Sequence, residues 1–333
     1  MLAHLGLSWF YLPYSQYIGV FLPIFFFVSG AVAYNSASRN LDKKHTFLLR
    51  YITLIVPFLL FTWPYLFNEK YLTEFNLYEL VTLLTAWPDR AIYSFPIKQI
   101  WFINALIMMF FMTHHIFRAG IKNRIWIIFP FIASVVYLFI AEGSDLPKFY
   151  RDFYIVRKLD YPNQLHQVLS LFNYYLFGAV YYSFQKVFKK LNSVLTVIFG
   201  FICAMLIFNV ETPENMRSYF FERNLYFTSF SYFVLFFVMG IQPYVKSFIY
   251  QPVTYKLFKK LSDNSYALFL LHTALLFAVE KLFHLESLSN SPLLAVARII
   301  IVISLSLMLA PFFTRLSHFV LSNTKSLITE RNL

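Results

Sequence analysis

The chain has 333 residues, of which 59% are hydrophobic, 21% are aromatic and only 13% are charged. A soluble domain carries about twice that share of charged residues, and it lacks the interior volume to bury so much apolar surface. The composition therefore excludes a soluble enzyme, a disordered protein and a collagen-like or disulfide-stapled module. Cys203, the single cysteine, cannot form an internal disulfide. The net charge of +12 is spread between apolar runs, which indicates membrane orientation rather than nucleic-acid binding.

Continuous apolar runs follow one another along the whole chain. Each is about 17–22 residues long, which is enough for a helix to cross a hydrocarbon core of about 30 Å. The runs are continuous and do not alternate, so they favour membrane helices over a membrane β-barrel. They predict nine spans, at about 17–36, 47–67, 100–117, 125–141, 168–185, 193–210, 225–241, 265–283 and 292–313.

A further apolar segment, MLAHLGLSWFYL, precedes Pro13. Twelve residues of helix rise only about 18 Å, so this first span is short or the sequence lacks part of it. The expected fold is an all-α polytopic bundle of about ten transmembrane helices, forming one integral membrane domain over residues 1–333. A stretch at 77–87 is expected to lie along the interface as a short amphipathic helix.

The charged residues predict the orientation of the bundle. Alternate loops place 17 basic and three acidic residues on one side and leave 11 basic and 13 acidic residues for the other. The positive-inside rule makes the first side cytoplasmic. With ten spans, the N- and C-termini are both cytoplasmic, and the protein is expected in the cell (inner) membrane.

Several polar side chains fall inside predicted spans, where they are costly and therefore candidates for function. His4 in the first span can act as a general base near neutral pH, or it can be a bundle histidine that donates to a carbonyl. Arg50 lies one turn into the third span. It can bind a phosphate group, or it can reach from the apolar region to the interface.

Two further features lie in the last two spans. Ser265 and His272 are seven residues apart and share a helix face, so they either line a cavity or join neighbouring helices. Arg298 and Glu280 are interpreted first as an ion pair between helices near the outer face. His114 and His115 are interpreted as an interfacial cap at the end of the fourth span, and no metal site is expected.

Five strings in order carry a family resemblance. They are His4 in the first span, GVFLPIFFFVSGAVAY (19–34), FLLRYITLIVPFLL (47–60), IWFINALI (100–107) and DNSYALFLLH (263–272). In this order the chain resembles the acyltransferase-3 family of membrane acyltransferases, over nearly its whole length. Members of this family move acyl groups, usually acetyl, from a cytoplasmic CoA thioester to hydroxyl groups of sugars and other acceptors.

The resemblance implies roles for individual residues. His4 corresponds to the essential histidine of the first helix, and Arg50 to the arginine of the third helix. The remaining positions of the family pattern, which the resemblance places at substrate or donor binding, are Ser29 in the FF…SG string, Trp101 in the WF string, and Ser265, Tyr266 and His272 in the late string. His4, Arg50, Trp101 and His272 are expected to converge on one cavity open to the cytoplasm.

The sequence departs from the family pattern at three points. The family often has a basic residue about eleven positions before the first-helix histidine, and only three residues precede His4. The second arginine of the third-helix string is Thr53 here, and the second tyrosine of the late string is Phe269. Donor binding is therefore expected to depend on Arg50 and other groups, unless residues are missing from the start.

The leading interpretation is a membrane O-acyltransferase that takes acyl-CoA as donor substrate, needs no cofactor, and acylates a carbohydrate or glycolipid acceptor. Its partners are then acyl-CoA, that acceptor and membrane lipid, and no nucleic acid. The alternative is a transporter or flippase for a lipid-linked or acyl-bearing molecule, which uses the same polar groups for binding. A transporter more often has broken helices in two matching halves, and the sequence has no such internal symmetry. A purely structural scaffold leaves His4, Arg50 and His272 without a purpose.

Overall fold

The computed structural model describes residues 21–39, 46–66, 100–142, 164–209, 225–282 and 292–330, and every regular element within these ranges is a helix. His4, the rest of the predicted first span and residues 77–87 lie outside them. The described helices are α1 (Phe21–Arg39), α2 (Thr46–Leu66), α3 (Ile100–Lys122), α4 (Ile125–Glu142), α5 (Gln164–Ser183), α6 (Gln185–Asn209), α7 (Leu225–Ile249), α8 (Pro252–Asp263), α9 (Ser265–Leu282) and α10 (Pro292–Glu330).

Nine of the described helices, all except α8, coincide with the nine continuous apolar runs of the sequence. Five stretches are long and apolar enough to cross a membrane: Phe21–Arg39, Phe102–Lys122, Gln185–Phe208, Leu225–Ile249 and Val296–Thr324. Three more apolar stretches, Leu48–Thr62, Ile125–Ile140 and Ser265–Leu276, are shorter. The predicted helical class is confirmed, whereas ten spans and a single domain stay predictions.

Three helices extend well beyond the apolar runs that predicted them, and one of them is α7, whose run ends at 241 while the helix ends at Ile249. The apolar run of α6 starts at 193, but the helix already starts at Gln185, and α10 continues from its apolar run to Glu330. Hydropathy locates only the part of a helix that matches the hydrocarbon core. Backbone hydrogen bonding continues into polar sequence beyond that core, because polar side chains are good helix formers in water.

The described residues form two compact units. The first unit contains α2, the start of α3 and α8 to α10. Its core is an aliphatic and aromatic cluster drawn from α2, α3 and α9: Ile55, Phe58, Phe61, Ile103, Ile107 and Leu270. At the other end of α9, Val279 packs against Val302 of α10, so α10 joins the same unit.

The second unit contains α1, the rest of α3 and α4 to α7 as far as Phe248. Its closest helix pair is α1 with α5, where one glycine on each helix faces the backbone of the other helix. A Cβ added to Gly30 would overlap the carbonyl oxygen of Tyr175, and a Cβ added to Gly178 would overlap the carbonyl oxygen of Phe27. Helices associate in membranes largely through such close packing of small residues, so these two glycines determine the α1–α5 crossing.

Aromatic rings fill the rest of the second unit. The ring of Phe177 on α5 lies 5.4 Å from that of Tyr232 and 5.6 Å from that of Phe236, both on α7. The Tyr232 hydroxyl donates to the side-chain oxygen of Asn173 at 2.7 Å, and the Asn173 amide donates to the Ser170 carbonyl. Hydrogen bonding of this kind allows a polar pair to remain inside an apolar bundle.

The outer surface of α6 is apolar. Phe201 and Phe208 are 65% and 84% exposed, and Val197, one helical turn before Phe201, is also exposed. Large side chains at this level of exposure are unfavourable in water but favourable against lipid acyl chains. The outward face of α6 therefore fits the bilayer as its solvent.

Candidate active site

The candidate site lies in the first unit, where α2 and α9 meet. The Tyr266 hydroxyl, in the first turn of α9, donates to the backbone carbonyl of Leu54 at 2.7 Å. Arg50 lies one helical turn before Leu54 on α2 and is half-buried. The late string of the sequence is therefore attached to α2 one turn away from the arginine.

This contact gives Tyr266 a positioning role. Its ring belongs to the same cluster as Tyr51 and Leu54 of α2, and its hydroxyl is engaged by a backbone oxygen. A hydroxyl that already donates to a carbonyl is less suited to bind substrate than to hold two helices in register. The prediction that Tyr266 binds substrate or donor stays a prediction, and the structure supplies this additional function for it.

Among the predicted site residues whose side chains the structure describes, His272 is the most deeply buried, with 1% of its surface exposed. Its Nδ1 lies 3.1 Å from the carbonyl oxygen of Leu268, one turn earlier on α9. Because a carbonyl only accepts, Nδ1 carries the proton, and in the neutral ring Nε2 then holds the lone pair. The α9 backbone thus selects a tautomer of His272 whose Nε2 can accept a proton or a hydrogen bond.

Ser265 does not share this burial. It is the first residue of α9 and is exposed, although its position lies on the same helical face as His272. The serine is at the helix start and the histidine lies two turns further along. The two residues therefore lie at different depths, and nothing in the described contacts joins them.

The WF string reaches α9 through its phenylalanine. The ring of Phe102 lies 5.2 Å from that of Phe269, which in turn lies 6.0 Å from the imidazole of His272. Phe269 replaces a tyrosine of the family pattern, and an apolar ring suits this packed position. The side chain of Trp101 lies outside the described residues, as does His4, so the convergence of the four predicted residues on one cavity stays a prediction.

Asn104 was not singled out by the sequence analysis, although it lies inside the IWFINALI string. Its side chain is fully buried in the first unit, between Ile103 and Ile107 of the α2–α9 cluster along the helix. The sequence signal that would have found it is an amide side chain inside an uncharged membrane run, where a polar group is costly and therefore rarely accidental.

Ser29 belongs to the second unit and is half-buried on α1. Its neighbours in the FF…SG string are buried: Phe26, Phe27 and Gly30. Phe27 and Gly30 form the α1–α5 crossing described above. In the FF…SG string, Phe27 and Gly30 therefore pack α1 against α5, and the binding role of Ser29 stays a prediction.

Two other sequence interpretations concern polar residues away from α2. Arg298 on α10 is 2% exposed and lies one turn before Val302, which packs against Val279 beside Glu280. The backbones of α9 and α10 therefore lie side by side in the region of Arg298 and Glu280. The side chain of Glu280 lies outside the described residues, so the ion pair between them stays a prediction. The rings of His114 and His115 have centroids 5.1 Å apart, one half-buried and the other exposed.

The described residues contain no group of three or more histidine, cysteine and acidic side chains that could hold a metal ion. Around the contact between α2 and α9, the described residues supply a cation at Arg50, a buried imidazole at His272 and hydrogen-bonding groups at Tyr266 and Asn104.

Comparison with known proteins identifies the family. The family model of the acyltransferase domain matches residues 2–311 of the chain. No curated protein and no solved structure matches it. The match includes His4, the strings on α1, α2 and α3, and the late string on α9. The protein is therefore a membrane acyltransferase that transfers groups other than aminoacyl groups, and the chain belongs to the acyltransferase-3 family.

Proposed function

We propose that this acyltransferase moves an acetyl group from cytoplasmic acetyl-CoA to hydroxyl groups of a cell-surface or periplasmic glycan. The observation that carries the proposal is the family match over residues 2–311. The hydrogen bond from Tyr266 to the Leu54 carbonyl, which attaches α9 to α2 one turn away from Arg50, supports it. The protein then resides in the inner membrane with both termini in the cytoplasm, as the distribution of basic residues predicts.

Arg50 is proposed to bind the phosphates of the donor. A guanidinium matches phosphate oxygens with two parallel hydrogen bonds, and such contacts are stronger when the group is partly shielded from water. The hydrogen bond between Tyr266 and Leu54 fixes the α2 backbone one turn away. This contact keeps the turn that follows Arg50 at a fixed position relative to α9.

His272 is proposed to contact the donor deeper in the bundle. Along the helix axes, Arg50 lies about 6 Å before Leu54, and His272 lies about 9 Å after Tyr266. Because α2 and α9 both start on the cytoplasmic side in the proposed orientation, the two residues differ in depth by roughly 15 Å. CoA carries its phosphates and its thioester at opposite ends of a long arm, so one donor can contact both levels.

His4 is proposed as the general base. Its imidazole takes the proton of the acceptor hydroxyl while the oxygen attacks the thioester carbonyl. The carbon–sulfur bond then breaks, and the leaving CoA thiolate takes up that proton from the imidazolium. The products are the acylated acceptor and free CoA, and the histidine returns to its neutral form.

The test measures CoA release and transfer of labelled acetyl groups in membranes that carry each variant at equal protein level. We expect His4→Ala to lower the rate by about 10²–10⁴-fold. We expect Arg50→Ala to raise the KM for acetyl-CoA by about tenfold or more, with activity partly restored at high donor concentration. Arg39→Ala is the matched control, because Arg39 is an exposed arginine at the end of α1.

Two outcomes would overturn the proposal. If His4→Ala retains full transfer, the histidine is a packing residue and another base must be sought. If the wild type releases no CoA with any hydroxylated acceptor, a transporter or flippase becomes the better interpretation.

A further inference from the structure

Helix α8 differs from the other described helices because it has no apolar run and no buried side chain. It spans Pro252–Asp263, and none of its twelve residues, all of which the structure describes, is buried. Val253 is 82% exposed and Leu257 is 54% exposed. A short helix that packs so little against protein is marginal in water and needs another surface to stabilise it.

The ends of α8 are nevertheless well defined. Pro252 occupies the first turn, where its missing N–H costs nothing. The Tyr255 N–H donates to the Gln251 carbonyl at 2.8 Å, and the Tyr255 ring stacks on Tyr250 at 5.7 Å. At the other end, the Asn264 side chain donates to the Lys260 carbonyl at 2.7 Å. Both termini of α8 are therefore fixed by specific hydrogen bonds.

Asn264 also connects α8 to the candidate site. Its backbone carbonyl accepts the N–H of Leu268 at 2.9 Å, in the first turn of α9. The same turn carries Tyr266, which reaches Leu54 on α2. One residue thus ends α8 and starts the helix that carries Tyr266 and His272.

The sequence of α8 places apolar and basic residues in separate sectors of the helix surface. At 100° per residue, Val253, Leu257 and Leu261 form one stripe, with Phe258 beside it. Lys256, Lys259 and Lys260 occupy a second sector together with Asp263, centred about 130° from the apolar residues. Lys260 borders the stripe beside Val253, and the sector as a whole is net positive. The lysines and both Val253 and Leu257 are exposed.

We propose that α8 is an interfacial helix that inserts its apolar stripe into the bilayer and binds the anionic phospholipid headgroups of the cytoplasmic leaflet with its three lysines. This division of the surface is typical of helices that lie in the membrane plane. The position fits, because α8 directly follows α7 and directly precedes α9, two helices of the membrane bundle. The choice of leaflet depends on the proposed orientation, whereas the lipid chemistry does not.

The positive charge of α8 favours anionic lipid over a protein partner as the surface that covers its apolar stripe. A lysine close to an anionic surface increases binding about fivefold, and three lysines beside an apolar stripe combine both contributions of an interfacial helix. A second copy of α8 would bring like charges together and is disfavoured.

The experiment uses the full chain in vesicles, with Cys203→Ala as background so that a new cysteine can carry a bimane fluorophore. The label is placed at Leu257→Cys on the apolar stripe or at Lys259→Cys on the basic face. We expect brominated lipid to quench the label at 257 and aqueous iodide to quench the label at 259. We also expect brominated phosphatidylglycerol to quench the label at 257 several-fold more effectively than brominated phosphatidylcholine.

A charge variant with a matched control tests the role of the lysines. K256Q/K259Q/K260Q should bring the phosphatidylglycerol to phosphatidylcholine quenching ratio at position 257 close to one. K186Q/K189Q/K190Q removes the same charge from exposed lysines at the start of α6 and should leave the ratio unchanged.

Three results would overturn the inference. Equal iodide quenching at 257 and 259 means that α8 is solvated on all sides. Protection of 257 from both iodide and brominated lipid means that protein covers the stripe. An equal loss of lipid preference in both triple variants means that overall charge, and not α8, attracts the anionic lipid. None of these readouts requires acyl transfer, so the inference and the proposed function can fail separately.

Discussion

Replacement of Gly30 by alanine tests the α1–α5 crossing, which is the tightest described contact between helices. The added Cβ would lie 2.7 Å from the carbonyl carbon of Tyr175 and would overlap its oxygen. Ordinary contacts to carbon begin at about 3.5 Å, so the two backbones must separate by roughly 1 Å. A backbone carbonyl within a helix cannot rotate away as a flexible side chain can.

The expected cost follows from two opposing contributions. Overpacking of a close contact destabilises by about 1–3 kcal/mol, and a backbone clash belongs at the upper end. Alanine in place of glycine within a helix stabilises by up to about 1 kcal/mol. The net loss is then about 1–2 kcal/mol, which corresponds to a decrease of the thermal midpoint by roughly 2–8 °C.

Cys203 makes the assay direct. It is buried against Tyr226 and Phe227 in the same unit, so a thiol-reactive fluorophore reports the unfolding of that unit as the detergent-solubilised protein is heated. The Cys203→Ala protein should give no signal. Gly178→Ala should behave like Gly30→Ala, because its Cβ would overlap the carbonyl oxygen of Phe27.

The matched control is Gly200→Ala in the interior of α6. It has the same gain in helix propensity, but its Cβ would meet only the ring of Phe233, at 3.1 Å and 3.3 Å. We expect a midpoint within about 2 °C of the wild type. The double variant of Gly30 and Gly178 should lose less than the sum of the single losses, because the first substitution already separates the helices. If the Gly30→Ala and Gly200→Ala proteins have the same thermal midpoint, the backbone clash at Gly30 does not destabilise the unit and the prediction is wrong.

Three further predictions concern the site and the topology. Tyr266→Phe removes the hydrogen bond to the Leu54 carbonyl and should lower the free energy of unfolding by about 0.6–1.7 kcal/mol. It should raise the KM for acyl-CoA with kcat little changed, whereas Tyr244→Phe, at an exposed tyrosine, should change neither constant. A fall in kcat alone would contradict a positioning role for Tyr266. His272→Asn retains a donor for the Leu268 carbonyl, so the thermal midpoint should stay near that of the wild type. The transfer rate should fall at least about tenfold, because the imidazole is lost. Unchanged transfer would show that His272 contributes only the hydrogen bond within the helix. Cysteines at Lys189 and Glu214 should react with a membrane-impermeant reagent from opposite sides of the membrane, and labelling of both from outside would show that the topology is wrong.

The sequence by itself determined the class of protein and the position of most helices. An apolar run of about 20 residues without charge has only one common solution in lipid, a helix that satisfies its own backbone hydrogen bonds. Runs such as 47–67 and 265–283 therefore predicted α2 and α9 to within a few residues. Helix α8 was not predicted, because three lysines interrupt its apolar positions and hydropathy averages the two faces.

The tertiary structure decided which helices pair and which polar groups are buried. Gly30 meets Tyr175, and Tyr266 meets Leu54, across 145 and 212 residues of chain respectively. Ser265 and His272 lie on one face in the sequence pattern, yet one is exposed and the other is buried. Hydropathy and periodicity are local properties, whereas burial depends on which surface arrives from elsewhere in the chain. For this reason the sequence predicted the candidate residues, but only the packing of α9 against α2 distinguished their roles. Tyr266 joins the two helices, whereas His272 places a neutral imidazole in the interior.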